Sequence, residues 1–217
     1  MKLQMQNLSL QYDGKAPLFN KVDLTIESGH FVIIKGPSGC GKSSLLRMIN
    51  RLQEPTHGTL SLDDKLLAEY DVTHIRRRIG YVQQTPVVFH DTVRNNLLLP
   101  FTFHANRSMT KPGDDVLQEK LDGYLLNDVK LNDLAADLSV GEKQRLALIR
   151  GLLVQPDILL CDEPTSALDP DSRTIVEQEL VRLNQASQVT IVLVTHIDFS
   201  AAPTTPRTYT LTPNGLT

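Results

Sequence analysis

The segment GPSGCGKS, Gly36 to Ser43, sets two glycines around four residues and then presents a lysine and a serine. Glycines at those positions let the backbone turn tightly and aim its N–H groups at an anion. Lys42 adds a cation within reach of terminal phosphates, and Ser43 a hydroxyl suited to a divalent ion. An apolar run, FVII at Phe31–Ile34, precedes the loop, and SSLLRMIN, Ser43–Asn50, follows it with Leu45, Leu46 and Ile49 on one side. The pattern predicts strand, loop and helix, so a bound phosphate sits at a helix N-terminus, where free N–H groups and the helix dipole favour negative charge. A Gly-rich turn without a ligand is the plain alternative, and the flanking elements count against it.

A second chemical element is PDILLCDEP, Pro156 to Pro164. Ile158, Leu159 and Leu160 read as a buried parallel strand. Its two acids fall at the carboxyl end, where open α/β sheets place ligands. Asp162 is suited to accept from the water shell of Mg²⁺. Glu163, one residue on and pointing elsewhere, is suited to polarise an attacking water. Acids often cap strands, so this stretch gains meaning only beside the loop at Gly36.

Four further stretches follow in order: YVQQ at Tyr81–Gln84, LSVGEKQR at Leu138–Arg145, SALD at Ser166–Asp169, and LVTH at Leu193–His196. The second opens a helix to about Leu153, and the last ends the apolar strand VTIVLVTH. Over nearly the whole chain these motifs resemble the ATP-binding cassette ATPases, those of ABC transporters. The resemblance implies an ATP site in a Walker A loop built from Gly36, Pro37, Ser38, Gly39, Cys40, Gly41, Lys42, Ser43 and Ser44. Tyr12 falls where the family stacks an aromatic on adenine. Asp162 and Glu163 correspond to the Walker B pair, Gln84 to the Q-loop glutamine, Asp169 to the D-loop and His196 to the switch histidine. The implied catalytic set is Lys42, Gln84, Glu163 and His196. The implied Mg²⁺ set is Ser43, Gln84 and, through water, Asp162. Ser139 and Gly141 of the signature serve the nucleotide of a second copy, so the family pattern implies a head-to-tail homodimer on ATP binding. It also implies an integral membrane permease as partner, with this chain in the cytoplasm, peripheral on the inner face of the cell membrane.

Each residue also has a plain reading. His196 is a strand-end histidine, Gln84 a loop glutamine, Tyr12 an edge-strand aromatic. Ser139 is a good N-cap, and Glu142 three residues on completes a capping box, which is compatible with anion binding at the same helix end. The signature departs from the family's usual LSGGQ at Val140 and Glu142. Val140 would be strained if that position required φ > 0. Ser139 and Gly141 are kept, so a working site is expected. Gln83 to Pro100, EKQR and the short C-terminus look like the small bacterial ATPases assigned to iron export. A soluble ABC ATPase acting on DNA or ribosomes is one alternative, but such proteins usually carry two cassettes or a coiled-coil insert and a basic surface. A nucleotide-binding switch without hydrolysis is the other, and Glu163 and His196 count against it.

The 217 residues suffice for a full core, and 41% hydrophobic with 22% charged content is ordinary for a globular protein. A net charge of −3 provides no field for nucleic acid. No apolar run approaches the ~18 residues of a membrane span, and Met1–Ser9 does not read as a signal peptide. Cys40 and Cys161 have no metal or disulfide spacing, and Cys161 reads as a small buried filler. The chain runs 21 residues beyond His196, which predicts no regulatory domain.

These motifs need an α/β scaffold: a P-loop NTPase of ABC type, with a central, mainly parallel sheet, an antiparallel β layer and an inserted helical subdomain. The expected single domain spans 1–217, with core and β layer over 1–88 and 138–217. Lys2–Tyr12, Val22–Glu27 and Gly58–Leu62 supply the antiparallel layer. Ile79–Gln83, Val189–Thr195 and Arg207–Thr212 are further strands, and His74–Arg78 a short basic helix. The helical subdomain covers about 89–137, with helices at Thr92–Leu99 and Asp114–Leu126 broken by Pro100, Pro112 and Gly113. Val87, Val88, Phe89, Phe101 and Phe103 concentrate there in a chain with six phenylalanines. They serve either core packing or an exposed patch for a membrane partner.

Overall fold

A computed structural model describes residues 1–199 and 206–217. In chain order the elements are β1 (Leu3–Leu10), β2 (Phe19–Ile26), β3 (Phe31–Lys35), α1 (Lys42–Ile49), β4 (His57–Leu62), β5 (Lys65–Leu66), α2 (Val72–Arg78), β6 (Ile79–Val82), α3 (Val93–Leu98), α4 (Asp114–Gly123), α5 (Val140–Leu152), β7 (Ile158–Asp162), α6 (Pro170–Ser187), β8 (Thr190–Val194), β9 (Arg207–Thr212) and β10 (Gly215–Leu216). Two sheets result. A four-stranded antiparallel sheet runs β2-β1-β4-β5, and a six-stranded sheet runs β10-β9-β3-β8-β7-β6. In the second, β9, β3, β8, β7 and β6 are mutually parallel, and only β10 is antiparallel.

Burial on both faces explains the unbroken apolar runs of β3, β7 and β8. Val32, Ile34, Ile158, Leu160, Val192 and Val194 face one way and pack with Leu45, Leu46 and Ile49 of α1 and with the antiparallel sheet through Leu3, Leu8, Phe19 and Ile26. Phe31, Ile33, Leu159, Cys161, Ile191 and Leu193 face the other way. There they meet Leu146 and Ile149 of α5, Val176 and Leu180 of α6, and Val93, Leu97, Leu117 and Leu121 of α3 and α4. Burial and the adjoining Asp162 push the Cys161 thiol up, which leaves it an inert core group.

α4 stops at Gly123, short of the expected Leu126. Leu125 is left-handed (φ 54°), and Leu126 N–H reaches back to the Leu121 carbonyl at 3.0 Å. That closure satisfies a terminal carbonyl and buries Leu126. The 18-residue α6 was not foreseen. Asp169 caps it through the N–H groups of Asp171 and Ser172, and Pro170 occupies its first turn.

Candidate active site

The carboxyl ends of four adjacent parallel strands converge on one cavity. β3 leads into the phosphate loop, β6 into Gln84, β7 ends at Asp162 with Glu163 next, and β8 leads to His196. This is where a parallel α/β sheet places ligands, because the loops that leave its strands open there. The cavity holds about 820 Å³ and is lined by Tyr12, Gly36, Lys42, Ser43, Glu163 and His196, among others. That volume falls in the range of small-molecule sites.

Two glycines shape the loop. Gly36 has φ 152°, and a Cβ there would lie 2.5 Å from the Leu211 carbonyl oxygen. Gly41 has φ 100° and caps α1, and a Cβ there would meet the Phe19 ring at 2.9 Å. With glycine as cap, no side chain covers the first N–H groups of α1, which remain available to an anion. Lys42 is buried, and its ammonium donates to the carbonyls of Gly36 (2.9 Å) and Pro37 (3.0 Å). A cation is thereby held against the loop that needs one. Cys40 packs inward with the core, and neither it nor Pro37 lines the cavity.

Ser43 Oγ donates to Asp162 Oδ1 at 2.9 Å, and the Tyr81 hydroxyl donates to Oδ2 at 3.0 Å. Burial and the Asp162 carboxylate push Tyr81 up to about 12, so it stays a protonated donor. Among the described residues no cluster of three or more His, Cys, Asp and Glu could cage a metal. A hydroxyl beside a single carboxylate suits Mg²⁺ instead, which binds through one or two carboxylates together with substrate phosphates.

Glu163 has a left-handed backbone (φ 49°), with its N–H donating to the Val194 carbonyl at 2.9 Å. Gln84 Nε2 donates to its Oε2 at 3.1 Å, and His196 Nδ1 lies 3.1 Å from the same oxygen. Glutamine, glutamate and histidine, from three strands, thus meet at one carboxylate.

Tyr12 lies beyond β1, half-exposed at the cavity, with its hydroxyl accepting from Gln53 Nε2 at 3.1 Å. Ser38, Gly39 and Ser44 also line the cavity. Ser139, Gly141 and Asp169 do not. Ser139 caps α5 in a full capping box: its Oγ accepts from the Glu142 N–H at 3.3 Å, and its own N–H donates to Glu142 Oε2 at 2.8 Å. Contacts to its carboxyl from the Ser139 hydroxyl, and then from the Ser139 N–H, hold Glu142 below its usual range. Val140 is the first residue of α5 and has no positive φ, so replacing glycine there creates no backbone strain. Asp169 caps α6, and the Ser172 contacts hold its carboxyl low. Lys15 and Leu18 line the cavity, and Tyr81 holds Asp162, without having been foreseen. Tyr81 stands within the YVQQ stretch, but a tyrosine at a strand end carries no signal that separates a carboxylate donor from a packing residue.

The profile of the ABC transporter family matches residues 19–166. The chain belongs to this family. As an ABC ATPase it is the ATP-binding subunit of a transporter, and ATP hydrolysis is its activity. It is 37% identical to the probable iron export ATP-binding protein FetA of Escherichia coli (strain K12), over 89% of this chain and 84% of that one. It is 36% identical to the glycine betaine/carnitine/choline transport ATP-binding protein OpuCA of Bacillus subtilis (strain 168), over 89% of this chain but 51% of that one. Among solved structures it is similar to the ATP-binding cassette MJ0796, described as a dimer in a post-hydrolysis state bound to ADP and Pi. The TM-score is 0.83 at 30% identity, over 99% of this chain and 96% of that one.

For this ABC ATPase, Lys42→Ala is expected to weaken ATP binding by roughly 10- to 100-fold, as loss of charge-assisted hydrogen bonds does. The melting temperature without nucleotide should fall by no more than about 3 °C, since the lost contacts are local to the loop. Titration calorimetry and thermal scans of the same samples check this. A nucleotide-free protein destabilised as strongly as binding is weakened would make Lys42 a structural residue.

Proposed function

We propose that this chain is a Mg²⁺-dependent ATPase that works as a head-to-tail homodimer and energises export of a metal, iron, through a separate integral membrane permease. The observation that carries the catalytic part is the meeting of Gln84, Glu163 and His196 at one carboxylate beside the phosphate loop. Glu163 accepts the proton of the attacking water, Gln84 and His196 fix its orientation, and Lys42 with the N–H groups of α1 receives the terminal phosphates. Ser43 and Gln84, with Asp162 through water, would hold Mg²⁺, which would supply charge neutralisation on those phosphates. Phosphoryl transfer depends mainly on such positioning and charge, so each member of the set matters more than a surface contact. Iron as cargo is supported by the resemblance of Gln83 to Pro100 and by a relative of similar length named for iron export. Metal retention in cells lacking this chain, compared with cells carrying it or Glu163→Gln, tests the cargo. Equal iron content in all three would refute it.

No described helix is long and apolar enough to cross a membrane. From its membership of the ABC transporter family we place the chain in the cytoplasm, peripheral on the inner membrane face, held there by the permease. Segment 89–137 is the proposed helical subdomain, and its boundary with the core forms the docking surface. Phe101 is buried and belongs to the core. Val87, Phe89 and Phe103 are at least half exposed. Val87 and Phe103 line a groove with Arg76, Arg77, Arg150 and Pro100 that also takes in Gln83 and Thr85, the neighbours of Gln84. An apolar lining that includes three arginines fits a short helix of the permease that carries an acidic residue. Phe89→Asp and Phe103→Asp should leave detergent-free ATPase activity and melting temperature nearly unchanged and abolish co-purification with the permease. Intact co-purification in both variants would remove the groove from the interface.

A further inference from the structure

Gln144 lies on α5, five residues beyond Ser139, and is 1% exposed. Its Nε2 donates to two main-chain carbonyls, those of Gln84 and Glu163, each at 3.4 Å. Its Oε1 is buried and finds no partner among the described residues. A buried amide with an unsatisfied acceptor is costly, and an apolar side chain of similar size would avoid that cost. What the glutamine offers against that cost is its reach to both carbonyls.

Those carbonyls belong to the two residues whose side chains meet in the cavity. Gln84 and Glu163 are thus joined twice, once by their side chains at 3.1 Å and once through the Gln144 amide behind them. Glu163 needs the second link because its left-handed backbone is disfavoured for a residue with a Cβ. Its carbonyl is held by the Ser166 N–H at 3.2 Å, by Ser166 Oγ at 3.0 Å and by Gln144. Of these donors only Gln144 also holds Gln84. Both Gln144 bonds are long, and the amide nitrogen has two hydrogens, one for each carbonyl, so a single group ties both carbonyls to α5.

We propose that Gln144 is a positioning residue that sets Gln84 against Glu163 and couples both to α5, whose N-terminus carries Ser139 and Gly141. The inference rests on the proposed roles of Gln84 and Glu163. A displacement of α5 by a second copy engaging Ser139 would then move the carbonyl anchors of the catalytic pair, a contiguous mechanical path from one site to the other.

The test uses Gln144→Met and Gln144→Leu in the full chain, which keep bulk and remove the donor. Two readouts are taken. Amide exchange at Ser166, which donates to the Glu163 carbonyl, should quicken about tenfold while exchange in β1 and β2 is unchanged. Turnover should fall about tenfold with KM for ATP within about twofold, the split expected when positioning for the chemical step is lost. Exchange is read without nucleotide, so it decides the positioning claim even if the assigned catalytic roles fail. Unchanged exchange at Ser166 overturns the proposal, whereas faster exchange with wild-type turnover keeps the anchor and overturns the catalytic roles assigned to Gln84 and Glu163. A joint fall of turnover, ATP affinity and melting temperature, or failure of both variants to fold, would make Gln144 a support of the core and overturn it as well.

Discussion

Glu163→Gln is expected to lower ATP turnover by at least about 100-fold, in line with loss of a general base, while ATP binding persists. The substitution keeps the length and planarity of the side chain and its ability to accept from Gln84 Nε2, now 3.1 Å from Oε2. It removes the negative charge and the basicity. Nothing in the phosphate loop changes, since Lys42 is anchored to the carbonyls of Gly36 and Pro37. The backbone contacts of Glu163 to Val194 and Ser166 involve main-chain atoms of residue 163 and survive. ATP should therefore bind and remain uncleaved, and the bound state should accumulate as a dimer on gel filtration with ATP but not with ADP. Phosphate release measured in single-turnover conditions checks the first part. A variant with near wild-type release would remove Glu163 from the role of base and leave it a structural partner of Gln84 and His196.

Much of this site was legible in the sequence because phosphate chemistry demands particular residues at fixed spacing. Gly36 and Gly41 need glycine for two reasons at once, a positive φ and a close neighbour, so the loop wrote itself plainly into the chain. The central strands were legible because burial on both faces leaves continuous apolar runs. α6 left less trace, although Asp169 and Pro170 form an ordinary helix start: its buried positions include Ser172, Glu177 and Asn184, so the apolar stripe is broken by polar groups. Phe101 lies in a 3₁₀ turn (Leu99–Thr102) and Phe103 is the extended residue just after it, where neither helical nor strand periodicity predicts that the first is buried and the second exposed. The left-handed backbone of Glu163 and the bridging amide of Gln144 were invisible for another reason. Each depends on contacts between residues far apart in the chain, and neither residue type announces it.

Mixing Ser139→Arg with Lys42→Ala is expected to restore ATPase activity that neither variant shows alone. Ser139 does not line the cavity of its own chain, and its hydroxyl and N–H are engaged in the capping box with Glu142. Ser139→Arg should therefore leave ATP binding to the isolated chain nearly intact. Loss of the cap costs about 1 kcal/mol, or about 2–4 °C in melting temperature for a domain of this size. Ser139→Ala loses the same cap without adding bulk or charge and serves as the control for that part. In a two-fold dimer the same pair of contacts occurs twice, residue i to j and j to i. If Ser139 serves the partner's nucleotide, the mixed dimer has one site with both Lys42 and Ser139 intact and one site with both lost. Random pairing then leaves up to about a quarter of the sites whole. Turnover rising toward that level as the two variants are mixed supports head-to-tail pairing. If Ser139 instead acted within its own chain, every site in every combination would carry one defect, and mixing at any concentration would restore nothing.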